Sequence, residues 1–320
     1  MTLLLLLAPQ ASFAEAATPA YGVLLLAHGG DPRWNSEVTA LRGQIDAKVP
    51  TEVTFGMAFG QAQVREIQDG VNRLERRGVK KIVAVPLFVS SDSEVMDQVR
   101  FVFGIEKAPS KTLSDRMKAM GGHDHGYGHS IGEKPEDSGF NSYFNADDSK
   151  RVKTKVPLVL TPALDDHPLV TEILLEHAKG LSQEPKKETV ILVGHGPVED
   201  DKNRSWLEMM SRLGGTVQKK GGFKAVRAAT LRDDAGAEVR DAAAKELRSM
   251  VQAAANGGGR AIVVPDLIAQ GGIEPHIVRA LEGLHYAWDG KTLMPHKSIT
   301  EWALQRAEAG AKKDDMRKFK

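Results

Sequence analysis

One phrase occurs twice in this chain, and the repetition limits its possible folds more than any other feature. Gly22-Val-Leu-Leu-Leu-Ala-His28, followed by two glycines, reads as a buried strand ending in His-Gly, and Thr189-Val-Ile-Leu-Val-Gly-His195, followed by Gly196, repeats it. A second phrase is doubled in the same order. Ile82-Val-Ala-Val-Pro86 leads to Glu94, and Ile262-Val-Val-Pro265 leads to Glu274-Pro-His276. Two landmarks in one order imply an internal duplication. In each copy a histidine closes one strand and a carboxylate follows another. Ligands of open parallel sheets bind outside the carboxyl ends of strands, so these residues fall where a site is expected.

Between the landmarks, strand and helix patterns alternate. In the first copy, strands are predicted at 53–59, 81–89 and 156–161. A helix over 63–77 carries Val64, Ile67, Val71 and Leu74 on one face, and a second helix spans 169–181. The second copy offers strands at 190–194, 224–230 and 261–269, with helices at 237–254 and near 277–284. Leu160-Thr-Pro before one late helix is echoed by Leu293-Met-Pro before another. The alternation predicts an α/β fold: two tandem similar domains, each a mainly parallel sheet flanked by helices. The expected bounds are 20–185 and 186–308. Residues 107–155 lack apolar periodicity and read as an exposed insertion in the first domain. Residues 309–320 read as a charged, frayed tail.

The first nineteen residues stand apart. Leu3 to Leu7 is an apolar run followed by small residues at Ser12 and Ala14, which suits a signal-peptidase site, although a positively charged start is missing. A cleaved leader would make the protein exported or periplasmic; without one it is expected in the cytoplasm. The run is too short to span a bilayer, and no transmembrane segment is predicted elsewhere.

The 320 residues are enough for two full cores. A net charge of +1 and 6% aromatic residues argue against a nucleic-acid partner. With no cysteine, disulfides, thiolate metal sites and cysteine nucleophiles are excluded, and any bound metal must use His, Asp or Glu.

His28 and His195 each precede a glycine at a strand end, where an imidazole serves as metal ligand or general base. The bland alternative is a histidine bonded to a neighbouring loop. His195 with His276 and Glu274 makes a His/His/carboxylate set suited to Co²⁺, Ni²⁺, Fe²⁺ or Zn²⁺ with positions left open for substrate. Glu94 and Glu274 are also candidate proton acceptors, or simply stabilise the helix that follows each of them. His123, His125 and His129 form a short tract in the insertion that could act as an auxiliary metal binder. No Walker or G-x-G-x-x-G phosphate loop and no G-x-S-x-G elbow is present.

The strand ending LLLAHGG with DPRWN after it, the later VPLFVSS with DSEV, and TPALDDHPLVTEILLEHA resemble the sirohydrochlorin cobaltochelatase family of class II tetrapyrrole chelatases, in its long two-domain form. The resemblance covers most of residues 20–305 apart from the insertion. It implies two α/β domains facing each other across a cleft that holds the tetrapyrrole, with histidines and a carboxylate holding the incoming metal, Co²⁺ first among the choices. The family's strand-end histidine carries over to His195 and its mate His28. Its second histidine is best matched by His276, and Glu94 takes that place in the first copy. Arg33, Arg65, Arg204 and Lys202 follow strand ends and are candidates to pair with substrate carboxylates. A competing expectation is an exported metal- or tetrapyrrole-binding protein on the same fold without turnover.

Overall fold

The computed structural model describes residues 19–55, 64–108 and 151–319. Within them the first copy forms β1 (Gly22–Leu26), α1 (Pro32–Asp46), β2 (Thr51–Thr54), α2 (Val64–Arg76), β3 (Ile82–Pro86), α3 (Glu94–Val102), β4 (Leu158–Leu160) and α4 (Pro168–Leu181). The second forms β5 (Glu188–Gly194), α5 (Asp200–Gly221), β6 (Ala225–Thr230), α6 (Ala237–Ala255), β7 (Arg260–Pro265), α7 (Glu274–Ala280) and α8 (Lys297–Ala311). The sheets run β2-β1-β3-β4 and β6-β5-β7, and all their pairings are parallel. Where β4 stands in the first sheet, the second has one parallel bridge, Ile262 to Ala287.

Register makes the duplication concrete. Pro86 pairs with Leu26, two residues before His28, and Pro265 pairs with Val193, two residues before His195. Glu94 and Glu274 are each the first residue of the helix that follows. The echo of Leu160 in Leu293 is displaced, however. Leu293 donates to the carbonyl of Leu267, whereas the matching carbonyl in the first copy, Phe88, receives Leu164. The backbone ladder thus aligns Leu293 with Leu164.

Strand side chains alternate between two cores, as the pleat requires. Val23, Leu25, Val83 and Val85 share one buried cluster with Val190, Leu192, Ile262 and Val264, filled by Trp34, Ile173, Met210, Leu213 and Trp302 from four helices lying between the sheets. Leu24, Leu26, Ile82 and Ala84 face α2 and α3, and Ile191, Val193, Ala261 and Val263 face α6 and α7. Strands buried on both faces explain the unbroken apolar phrases in the sequence.

The last helix of each copy crosses over. α4 packs on α5 and β7 of the second copy, and α8 packs on β3, β4 and α1 of the first. At Gly310 of α8 an added Cβ would stand 2.5 Å from Val83 Cγ1, so the helix lies on the sheet more closely than any larger residue allows. A boundary between 185 and 186 therefore divides the chain copies but not the packing units. The tail is also ordered against the expectation of fraying. Met316 N donates to Leu158 O (3.0 Å), and Arg317 donates to the carbonyls of Thr154 and Val156 (2.9 Å each) while pairing with Asp315. Edge strand β4 offers free backbone groups, and the tail occupies them. The expected leader lies outside the described residues except for residue 19. No helix among the described residues is long and apolar enough to cross a membrane.

Candidate functional site

In the order β6-β5-β7 the central strand β5 ends between its two neighbours, so whatever follows the three strands meets at one end of the sheet. His195 directly follows β5, and its Nε2 lies 3.5 Å from Asp234 Oδ2. His276, in the first turn of α7 after β7, puts Nδ1 3.1 Å from Asp233 Oδ2. The two aspartates follow β6 in sequence, so a single acidic turn receives both histidines. His195 is 29% exposed and His276 43% at the side chain, which leaves each accessible to a ligand.

Glu274 does not join them. Its Oε2 accepts the N–H groups of Gly271 and Gly272 at 3.3 Å each, turning back over its own loop. Backbone donors of the loop just before α7 thus hold this carboxylate oxygen. Among the described residues, no group of three or more His, Asp or Glu side chains is placed to hold a metal ion. The expected set of His195, His276 and Glu274 is thus corrected: the carboxylates facing the histidines are Asp234 and Asp233. Sequence reasoning missed both. Leu231-Arg-Asp-Asp reads as an ordinary turn, and its one signal was that it ends a strand next to β5.

His28 is exposed after β1, its Nδ1 2.9 Å from Gly29 O. Glu94 starts α3 behind the Ser93 cap. The copies meet where post-strand loops cross. Gly271, after β7, lies against Asp31, after β1; a Cβ there would sit 2.9 Å from Asp31 Oδ2. On the other seam Trp206 Nε1 donates to Asp92 O (2.7 Å), and Lys202 Nζ reaches Asp97 (2.8 Å) and Asp92 (3.4 Å). Lys202 is thereby removed from the expected substrate-pairing residues: burial lowers its pKa, but Asp97 and Asp92 together outweigh that and leave it raised. Arg33 reaches Glu37 at 3.6 Å, and Arg65 is exposed on α2. Arg204 lines a cavity of about 510 Å³ with Glu208 and Arg212. Beside it a cavity of about 400 Å³ lies between Ser90, Ser91, Arg100 and Asp165 of one copy and Ser205 and Arg212 of the other.

One more buried group belongs to this end of the sheet. Asp266 directly follows β7 and donates its N–H to Val193 O (2.8 Å), within two residues of His195 along β5. The residue is 1% exposed, and neither carboxylate oxygen has a hydrogen-bond partner among the described residues. Burial pushes its carboxyl up to about 7. The first copy has Leu87 in that place.

His123, His125 and His129 lie outside the described residues. The segment that contains them is rooted at Lys107 and Arg151, where the Arg151 guanidinium donates to Lys107 O (2.9 Å) and stacks on Phe101 and Phe319.

Two parallel sheets share a helical layer, with a histidine after each matched strand, and the family whose model matches this chain is one of chelatases that place a metal in a tetrapyrrole. The chain belongs to the CbiX family, whose model matches residues 22–181. Among solved structures, SirB from Bacillus subtilis with Fe³⁺ is 15% identical, with a TM-score of 0.58 over 91% of this chain and 96% of that one. This likeness extends the fold across both copies. DR2241 from Deinococcus radiodurans, a multi-domain protein with structural similarity to chelatases, is 17% identical with a TM-score of 0.49 over 93% of this chain and 56% of its own. CbiX, the terminal enzyme of siroheme biosynthesis in denitrifying bacteria, is 13% identical with a TM-score of 0.48, over 90% and 98%. A search of curated proteins returns no match.

Proposed function

We propose that the protein inserts a divalent metal, Co²⁺ before Ni²⁺, Fe²⁺ or Zn²⁺, into sirohydrochlorin or a closely related tetrapyrrole, as a lyase-type chelatase of cobalamin- or siroheme-type biosynthesis. The observation that carries this reading is the convergence of His195 and His276 on Asp234 and Asp233. Metallation releases two pyrrole protons for each divalent ion that enters. Two imidazoles, each beside a carboxylate that orients its ring, match that stoichiometry. With Nε2 of His195 and Nδ1 of His276 turned to the aspartates, the opposite ring nitrogens are left to meet the metal or the macrocycle. Imidazole and carboxylate suit the borderline ions named. His28 and Glu94 would serve from the first copy.

One observation favours a second reading, an exported metal- or tetrapyrrole-binding protein without turnover: Glu274 turns away from the histidines and leaves no three-residue set among the described residues. Export itself rests on the apolar start of the chain, and protein sequencing of the mature N-terminus tests it. For the reaction, purified protein is mixed with sirohydrochlorin and Co²⁺, Ni²⁺ or Fe²⁺. The absorbance change of metallation is expected to run faster than in a protein-free control. Binding with no acceleration by any of these ions leaves the carrier reading.

A further inference from the structure

We infer that Arg232 is a positioning residue of the metal site, holding the loop after His195 and the Asp233–Asp234 turn in one rigid unit. The inference rests on the site reading above and adds a residue to it.

Arg232 has φ +56°, a left-handed backbone that glycine or asparagine adopts far more readily than arginine. Such a conformation persists where the surroundings over-determine it, and four contacts do so. The Arg232 N–H donates to the carbonyl of His195 itself (2.6 Å), continuing the β5–β6 ladder one step past the strands. Its guanidinium, 11% exposed, donates from Nε to Pro197 O (3.1 Å) and from Nη2 to Val198 O, and pairs with Asp200 Oδ1 at 2.8 Å. One residue therefore spans the connection from His195 to the start of α5, its main-chain N–H at His195 and its guanidinium from Pro197 to Asp200. The reversal at φ +56° also aims the next two residues, Asp233 and Asp234, at His276 and His195. A planar fork with several fixed donors suits this bridging, and a lysine ammonium cannot reproduce it. Arg232 touches neither imidazole through its side chain, so it acts by placing the groups that do. Partners that orient metal-binding histidines typically govern about 10–100-fold in metal affinity.

The test compares Arg232→Met, Arg232→Gly and His195→Ala with the parent, measuring initial rates against Co²⁺ and against sirohydrochlorin separately. Arg232→Gly relieves the backbone strain, so its folding is not impeded even where Arg232→Met fails to fold. Both Arg232 variants are expected to raise the half-saturating Co²⁺ concentration about tenfold or more while the half-saturating sirohydrochlorin concentration stays within about twofold. A Co²⁺ titration of the tetrapyrrole-free protein, followed by visible d–d absorbance, should weaken in parallel. A merely structural role would lower the rate per mole of protein and leave the Co²⁺ dependence unchanged, and that result overturns the inference. If His195→Ala is inactive while both Arg232 variants keep the parental Co²⁺ dependence, only the role of Arg232 is wrong. If His195→Ala inserts metal at the parental rate, the site reading fails and takes this inference with it.

Discussion

A carboxyl buried without a partner disfavours its charged form, and Asp266 has no partner among the described residues. Burial raises it to about 7 against the ordinary 3.8. Between those values the folded protein keeps a proton that the unfolded chain gives up. Stability therefore falls as pH rises from about 4 to about 7 and then levels off, by up to about 4 kcal/mol from this group. Replacing Asp266 by Leu, the residue type at the matching Leu87, is expected to remove that slope. Urea denaturation of parent and variant at pH 4.5 and 8 measures it; an unchanged difference between the two pH values would show that Asp266 is ionised in the folded state. At the site, His195→Ala and His276→Ala are each expected to lower the metallation rate at least about 100-fold with little change in thermal unfolding, because side chains that stay partly exposed carry little of the core. Parental rates in both would remove them from the reaction. His195 was legible in the sequence because it ends a doubled apolar phrase, and His276 because it stands two residues past the carboxylate that follows the doubled Val-Pro phrase. Asp233, Asp234 and Arg232 were not, because nothing in a turn-like Arg-Asp-Asp tells which strand end it folds over. Glu274 was legible as a carboxylate but not in its direction, which two backbone N–H groups decide.

Elements follow the apolar periodicity closely where the core demands it. The predicted helix over 63–77 is α2 (Val64–Arg76), and the Val-Pro phrases are β3 and β7. The helix expected near 277–284 instead begins at Glu274 and ends at Ala280, since a proline at its second position suits a helix start. The C-terminal tail was misread for a physical reason. Its charged residues suggest solvation, yet Arg317 is 7% exposed at the side chain and bonds two carbonyls and Asp315. Stopping the chain after Ala311 removes these bonds, the Met316 bond to β4 and the Phe319 stack on Arg151. The expected loss is about 2 kcal/mol, or roughly 3 °C in the unfolding midpoint for a chain of this length. Differential scanning calorimetry of the truncated chain checks this, and a shift below one degree would restore the picture of a frayed end.

At the scale of the whole molecule, the duplication was legible but the exchange between the copies was not. Which sheet a helix covers depends on the path of the loop before it, and Leu169, Val170, Ile173 and Leu174 on α4 would present the same apolar face to either sheet. The consequence is that neither copy holds its own complete core. Residues 19–185 without the rest lose Ile299, Trp302, Ala303 and Ala307 of α8, all buried against the first copy's side of the shared layer. They also leave the face of α4 without the α5 and β7 surfaces it covers. Exposing several large side chains at about 1.5–3 kcal/mol each is comparable to the whole of the roughly 5–15 kcal/mol by which domains are stable. A fragment of residues 19–185 is therefore expected to fold only by pairing, either with a fragment of residues 186–320 or with a second copy of itself whose α4 takes the place of α8. Co-expression of the two fragments should yield a stoichiometric complex with native near-ultraviolet dichroism. The lone fragment should be a dimer or a dye-binding, loosely packed chain by light scattering. A lone fragment that is monomeric and unfolds cooperatively near the parental temperature would mean that each copy closes its own core and that the crossed helices only join them.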